Sequence, residues 1–289
     1  MKIDLHIHTR TGSDGNLSVE DVFKEAKHRN IDFMSITDHD SIDCQERAVA
    51  LAKEYGIRYI TGVELNITFE YPGHKAISLD FLGYQLDINN EELKDKLKAM
   101  REYRENRARQ ILEKLNAEFD KERMARFTEE DMKKIQESVE GAFGRPHIAN
   151  YLIQKGIVKS QQEAFDKYLI KCDVPKYPLT LAEASGLIRN AGGILVHAHP
   201  NDPGGTSLVT ITSRLDEQTR IIEEYMLKYI DGVECWHPRH DVKTTAHYIE
   251  FARRHNLLMS GGSDCHQKPI LMGTLDIPDF VAEQFKDYV

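Results

Sequence analysis

His6 and His8 stand two residues apart in KIDLHIHTRTGSD, residues 2–14, near the start of the chain. On a strand, positions i and i+2 share a face, so Asp4, His6 and His8 converge while Ile3, Leu5 and Ile7 turn into a core. Two imidazoles side by side make half of a metal site, although an isolated HxH is equally well an exposed polar strand face. Further donors follow in order: TDHD at 37–40, GVE at 62–64, HAHP at 197–200 and GGSDCH at 261–266, each just after an apolar run. With Asp14 of SDG and Asp80 of DFLGY, the N and O donors are His6, His8, Asp14, His39, Glu64, Asp80, His199, Asp264 and His266. Each has a plain structural alternative: a turn for Asp14, a helix cap for Asp38 and His39, a lysine pair for Glu64. Together they exceed what one tetrahedral or octahedral ion can use. Two or three divalent ions are therefore expected, with a carboxylate such as Glu64 or Asp264 bridging and no cysteine required.

The elements that must position these donors alternate along the chain. After the first strand, Ser18 caps a helix whose apolar face is Val19, Val22, Phe23 and Ala26, with Asp21 three residues beyond the cap. DFMSIT, at 32–37, is a strand running into Asp38, His39 and Asp40; a helix over about 43–55 stops at Gly56. IRYITGVEL is expected to carry a third strand to Glu64, and AISLDFLGY, at 76–84, to form a fourth. Residues 90–140 are long, charged and helical, with Leu93, Leu97, Met100, Ile111, Leu112 and Leu115 at helical intervals. RPHIANYLIQKG and SQQEAFDKYLI add shorter helices before VPKYP closes the segment. Residues 88–178 therefore read as a helical insertion or subdomain; the charged face of its first helix reads equally as a solvated surface. From Leu181 the alternation resumes through helix 181–191, strand GILVHAH, helix 215–229, strand DGVECW, helix 241–255 and strand LLMSGGSD.

Repeated βα units predict a parallel sheet with every ligand at or just past a strand's carboxyl end. A barrel gathers those ends on one face, whereas an open doubly wound sheet offers a single crevice. The expected fold is thus α/β, a barrel over residues 1–87 and 179–289 with the insertion between.

Composition bounds the partners. With 40% apolar and 29% charged residues, and no run of eighteen apolar residues, the chain reads as soluble and without a membrane span. Met1 leads straight into a strand with no visible secretory signal, and Cys44, Cys172, Cys235 and Cys265 lack CxxC spacing. Free thiols in a reducing compartment are expected, hence a cytoplasmic protein. A net charge of −9 disfavours duplex DNA and extensive nonspecific nucleic-acid binding, while leaving room for a local basic pocket. Oligomeric state is not legible.

HIHTRTGSDG, TDHD, GVE, HAHP and SDCH resemble the successive metal motifs of the PHP (polymerase and histidinol phosphatase) superfamily. GRPH at 144–147 and WHPRH at 236–240 make the chain similar to the branch containing nucleoside 3′,5′-bisphosphate phosphatases and 5′→3′ exoribonucleases. The resemblance implies a distorted TIM-like (β/α)7 barrel with a trinuclear Mn, Fe or Zn centre. His6, His8, Glu64 and Asp264 would hold one ion; Asp14, His39 and His266 a second; Glu64, Asp80 and His199 the third. Many relatives carry histidine where this chain has Asp80.

Clustered divalent ions bring the pKa of bound water down toward about 7, so hydroxide held between them, at His199 and Asp264, would attack phosphorus in line. The ions would also neutralise the phosphate oxygens as charge moves to the leaving alkoxide. His197 is a candidate for returning a proton to that alkoxide, or else a buried partner of a ligand carboxylate. Arg145 and His147 of GRPH, and Arg239 and His240 of HPRH, are candidates for gripping a phosphate. Arg145 is otherwise an ordinary helix-terminus arginine, and His237, beside Trp236 and Pro238, is either a substrate contact or a residue that shapes its loop. Trp236, Tyr71 and Phe143 could stack on a base, with core packing the alternative. The expected substrate is a small phosphorylated nucleotide such as pAp, losing its 3′-phosphate, or a short 5′-phosphorylated RNA end cut exonucleolytically. A histidinol-phosphatase-like phosphomonoesterase and a noncatalytic metal-binding module are the further alternatives.

Overall fold

The computed structural model describes residues 1–137 and 145–285. A first group of three parallel strands, β1 (Ile3–Asp4), β2 (Phe33–Met34) and β3 (Arg58–Tyr59), is connected through α1 (Val19–His28) and α2 (Gln45–Tyr55). Ser18 caps α1 as its sequence suggests, accepting from the Asp21 backbone N–H at 3.1 Å. Val22, Phe23 and Ala26 of α1 are buried against Ala48 and Leu51 of α2 in one apolar cluster.

A second sheet has the order β4-β5-β6-β7-β8, formed by Gly62–Phe69, Ile77–Tyr84, Ile194–His197, Gly232–Trp236 and Leu258–Gly261. Here two expectations fail. The third strand does not run unbroken to Glu64: β3 ends at Tyr59, and Glu64 is the third residue of a new strand, β4. The all-parallel expectation fails at β5, which pairs antiparallel with both β4 and β6. A parallel return needs a crossover of a dozen or more residues, and only residues 70–76 separate β4 from β5. YPGH within that link makes a turn, with the His74 N–H donating to the Tyr71 carbonyl at 3.0 Å. Asp80 therefore lies mid-strand on β5, opposite Asn66 of β4, and not at a carboxyl end.

The two sheets are stitched together at two places. Ile7 bridges Cys265, with Leu5 N–H donating to the Gly261 carbonyl at 3.0 Å. On the other side His39 bridges Glu64, and Asp40 N–H donates to the Glu64 carbonyl at 2.8 Å. The first stitch pairs the segments that follow β1 and β8, and the second brings the segment after β2 against the start of β4. The remaining helices of this part are α7 (Leu181–Asn190), α8 (Leu215–Tyr225), α9 (Val242–Arg254) and α10 (Phe280–Glu283), packed around the larger apolar cluster.

Between β5 and α7 come α3 (Glu91–Lys121), α4 (Glu129–Glu137), α5 (Arg145–Gln154) and α6 (Gln161–Ala164), the last continuing into a π-helical turn over Phe165–Leu169. Leu93, Leu97 and Met100 of α3 pack into the main cluster, whereas Ala108, Ile111, Leu112, Leu115 and Phe119 belong to a separate core with α4 and α5. One helix thus reaches from the sheet to a second hydrophobic centre. That second core carries a buried polar knot: Asp131 accepts from Thr128 N–H at 2.8 Å and from the Tyr151 hydroxyl at 2.6 Å, and pairs with Lys155 at 2.9 Å. Burial raises the Asp131 pKa, but these partners outweigh it and hold the carboxyl well below its ordinary value. A folded-state pKa below the unfolded one stabilises at neutral pH, and the contribution disappears as pH falls below about 4. Asp131→Asn should cost about 1–3 kcal/mol at pH 7 and much less near pH 2. Loss of amide protection in α4 and α5 by hydrogen exchange is the readout; equal protection at pH 7 in variant and wild type would refute it.

No helix among the described residues is long and apolar enough to cross a membrane. All four cysteines are free and buried.

Candidate metal centre

His6 and His8 leave β1 on the same side, while Ile7 between them is fully buried in the opposite direction. Their Nε2 atoms are 3.1 Å apart and both face the same two carboxylates. Glu64 Oε2 lies 3.3 and 3.1 Å from them, and Asp264 Oδ1 3.4 and 3.3 Å. Asp14, His39 and His266 gather alongside: His266 Nε2 is 3.2 Å from Asp14 Oδ1, and His8 and His266 stack with ring centroids 3.9 Å apart. Glu64 joins the groups. Its Oε2 is also 3.2 Å from His39 Nδ1, and its Oε1 is 3.1 Å from His199 Nε2. Asp80 completes a third cluster with His39 and Glu64, its Oδ1 accepting from Asn66 Nδ2 at 2.5 Å.

All nine donors expected from the sequence therefore share one cup. The groupings His6–His8–Glu64–Asp264 and His8–Asp14–His39–His266 each place one donor atom per residue within 4.8 Å of the others. The residues fit divalent cations. Imidazole nitrogens and carboxylate oxygens converge in these clusters, an arrangement favoured when protons or metal ions lie between them. The electrostatics agree. Burial lowers His8 and His199, yet Glu64, Asp264 and the other carboxylates drive them up to about 10 and about 9. The carboxylates thus favour positive charge on these imidazoles. His39 is the exception, pushed down to about 4 by burial. Asp80 is raised by burial and then by the adjacent Glu64 charge.

The cup has strained supports. His199 and Asp264 adopt positive φ, at 24° and 48°, as does Asp40 at 50°. Gly262 sits so close to the first strand that a Cβ there would lie 2.3 Å from His6 N, which is why the turn carrying Asp264 can approach.

Asp4, expected beside His6 and His8, and Asp38, expected as a helix cap, take other roles, and Glu234 was not expected at all. Asp4 does not join the cup; its carboxylate accepts from Ser263 N–H at 2.9 Å and Gly273 N–H at 2.8 Å, anchoring the turn that bears Asp264. Asp38 likewise accepts from Thr9 N–H and the Thr9 hydroxyl, both at 2.6 Å. Glu234, fully buried on β7, is 3.0 Å from His6 Nδ1 and accepts the His199 N–H at 2.7 Å. It fixes His6 with Nε2 toward the cup. The signal was a lone carboxylate inside the apolar run GVECW.

His197 is a correction. Its ring stacks on Phe81 at 4.7 Å, and neither nitrogen has a hydrogen-bond partner among the described residues. Burial pushes its pKa down to about 3. It reaches no ligand carboxylate among the described residues. His237, buried, accepts Arg239 N–H on Nδ1 at 3.3 Å, which leaves its proton on Nε2, 3.4 Å from Asp264 Oδ2. His240 contacts the Cys235 carbonyl at 3.1 Å, stacks on Tyr248, and does not line the cavity described next; nor does half-buried His147 on α5. Trp236 packs on Phe280, and Tyr71 between Phe69 and Tyr225. Phe143 and Gly144 lie outside the described residues.

A cavity of about 570 Å³ opens from the cup. Its opposite wall comes from the segment between β5 and α7: Tyr103, Arg104, Arg107, Arg145, Phe165, Lys176 and Tyr177. Arg145 spans Asp173, at 3.0 Å, and the Phe165 ring, at 5.5 Å. Arg107 also pairs with Asp173, at 2.6 Å, and Arg104 pairs with Asp40. Lys176 reaches Asn66 Oδ1 at 3.0 Å, so it sits one residue removed from Asp80. Four cations face two paired carboxylates, leaving the wall net positive. Of these cations only Arg145 was expected; Arg104 and Arg107 were hidden in REYRENRAR, which reads as a solvated helix face.

The PHP domain family matches residues 4–173. A 3′,5′-nucleoside bisphosphate phosphatase of Chromobacterium violaceum is 31% identical over 270 residues, 91% of this chain and 87% of that one. A 5′-3′ exoribonuclease of Escherichia coli is 29% identical over 273 residues, covering 91% and 85%. Among solved structures, one assigned as a metal-dependent phosphoesterase from Bifidobacterium adolescentis superposes with TM-score 0.78 and 26% identity over 98% of this chain and 94% of its own. With its histidine and carboxylate cup and these relatives, the chain belongs to the PHP domain family and is a metal-dependent hydrolase of phosphoric esters.

Proposed function

We propose that this protein removes the 3′-phosphate from nucleoside 3′,5′-bisphosphates of the pAp kind. The observation that carries the reading is the cavity's two unlike walls: a metal-ligating cup on one side and, across about 570 Å³, arginines, a lysine and aromatic rings on the other. The volume suits one small ligand. A substrate with one phosphate to be cut and another to be gripped matches both walls, and Tyr103, Tyr177 and Phe165 offer faces for a base. The net charge of −9 also favours a small substrate over a long polyanion. The 31% identical bisphosphate phosphatase supports the same reading.

Two or three divalent ions, of Mn, Fe or Zn, would be held by His6, His8, Glu64 and Asp264, by Asp14, His39 and His266, and by Glu64, Asp80 and His199. Such ions supply an acidified water and neutralise phosphate oxygens. The chain's own residues do the rest. Glu64 and Asp264 orient the cup, Glu234 keeps His6 in the tautomer that presents Nε2, and His237 steadies Asp264 through its Nε2 proton. Arg145, Arg104 and Lys176 take the second phosphate, with the planar guanidinium of Arg145 suited to two oxygens at once. Arg239 grips from the opposite lip. We further read the strands as a distorted (β/α)7 barrel, in keeping with the stitches at Ile7–Cys265 and His39–Glu64, and residues 88–178 as its helical subdomain.

The test is hydrolysis of pAp against a 5′-phosphorylated oligoribonucleotide at matched metal. Release of inorganic phosphate and AMP from pAp supports the proposal; mononucleotide release from the oligomer without turnover of pAp replaces it with the exoribonuclease reading, for which the relative from Escherichia coli speaks. Arg145→Ala should raise KM for pAp about tenfold, the loss of one charge-assisted contact among several, and affect substrates with a single phosphate far less. An unchanged KM for pAp would remove Arg145 from the pocket.

A further inference from the structure

We propose that Asp202 is a positioning residue that holds the Arg239 guanidinium at the lip of the cavity beside the metal cup. The inference deepens the phosphoesterase reading above and rests on it for what Arg239 grips. Asp202 follows HAHP in the turn after β6, and its side chain is only 2% exposed. Arg239 Nη1 lies 2.5 Å from its Oδ2, and Gly204 N–H donates to its Oδ1 at 2.8 Å. A carboxylate buried this far is tolerated only when paired and hydrogen-bonded. Arg239, half-exposed, is the one side-chain cation among the described residues that pairs with it.

The loop is shaped for this contact. A Cβ on Gly204 would lie 2.9 Å from Arg239 Nη1, and one on Gly205 2.5 Å from Asp202 Oδ2. Two consecutive residues without side chains thus let the carboxylate and the guanidinium meet. Arg239 is tied at its other end as well, because its backbone N–H donates to His237 Nδ1 at 3.3 Å, and His237 Nε2 is 3.4 Å from Asp264 Oδ2. Backbone and side chain are therefore fixed separately relative to a cup carboxylate. With one edge of the guanidinium held by Asp202, its remaining N–H groups, without a partner among the described residues, can be directed at an anion in the cavity, which both residues line. An exposed arginine without that anchor would sample many rotamers and lose most of the benefit of its fork. Asp202 also falls within 4.8 Å of His237 and Asp264, so the rival role is that of a further metal ligand.

Three variants of the full chain separate these roles. Asp202→Asn keeps an acceptor for Gly204 N–H and removes the charge that holds Arg239. Gly204→Ala displaces Arg239 without altering any charge, and Arg239→Ala is the reference. KM and kcat for pAp, bound metal by mass spectrometry, and crystal structures of wild type and Asp202→Asn are compared. We expect Asp202→Asn and Arg239→Ala each to raise KM about tenfold with kcat falling less than roughly threefold, the double variant to be no worse than either, and Gly204→Ala to follow. Metal content should equal wild type, and the Arg239 guanidinium should leave its wild-type position in Asp202→Asn. Additive losses in the double variant, an unchanged KM in Asp202→Asn, or loss of an ion from that variant would each overturn the proposal. If the wild type hydrolyses no nucleoside bisphosphate, the functional reading falls by itself. The crystallographic comparison still decides Asp202: Arg239 staying in place in Asp202→Asn refutes positioning, and its displacement supports it.

Discussion

Asp264→Ala should lower kcat by about a thousandfold or more while the protein keeps its secondary structure and melting temperature to within a few degrees. Asp264 Oδ1 lies 3.4 and 3.3 Å from His6 and His8 Nε2 and 3.4 Å from His266 Nδ1, and its Oδ2 3.4 Å from His237, so one carboxylate serves four imidazoles. Burial raises its pKa, but His6, His237 and His8 outweigh that and hold it well below the ordinary range, so it enters the cup as an anion. Removing an anion from a centre that must hold divalent ions costs several kcal/mol of transition-state stabilisation, and about 1.4 kcal/mol is a factor of ten. The fold should survive because the turn around it is held elsewhere, by Asp4 accepting Ser263 N–H and Gly273 N–H. Metal content by mass spectrometry, kcat and circular dichroism are the measurements. A variant that retains its ions and turns over within tenfold of wild type would mean that the cup is not the reaction centre.

Glu234→Gln should weaken metal binding roughly ten- to a hundredfold, the usual cost of losing a hydrogen bond that orients a ligand. Glu234 is an acceptor twice over, toward His6 Nδ1 at 3.0 Å and His199 N–H at 2.7 Å. A glutamine has one acceptor oxygen and one NH2 group. If its oxygen takes the His199 N–H, its NH2 faces His6 Nδ1; His6 then moves its proton to Nε2 and turns a donor hydrogen into the cup where a lone pair is needed. If the oxygen turns to His6, the buried His199 N–H loses its partner. Calorimetric titration of metal into apo-protein reads the change directly. An affinity within twofold of wild type would show that His6 is oriented by something other than Glu234.

The metal chemistry was legible locally because it depends on residue type and on short spacing. TDHD, GVE, HAHP and SDCH each follow an apolar run, and alternation on a strand sends His6 and His8 of HIH together whatever the rest of the chain does. Helix caps are local for the same reason: Ser18 and its partner Asp21 are three residues apart, as are Thr180 and Glu183 in the capping box of α7. What sequence alone left undetermined is everything that depends on where distant segments meet. Antiparallel β5, and with it the mid-strand position of Asp80, follows from a link too short for a crossover. His197 and His199 share a motif, yet one stacks on Phe81 and the other faces Glu64, because a strand ends between them and the backbone of His199 turns to positive φ. Arg104, on α3, and Lys176, in the chain just before α7, look like ordinary surface charge until the fold brings both to the mouth of the cup. Glu234, alone in a buried strand, acquires its role only from His6, 228 residues away. Ligand chemistry is carried by the side chain itself; orientation, pairing and the shape of a pocket are through-space properties, and only the folded path of the chain decides them.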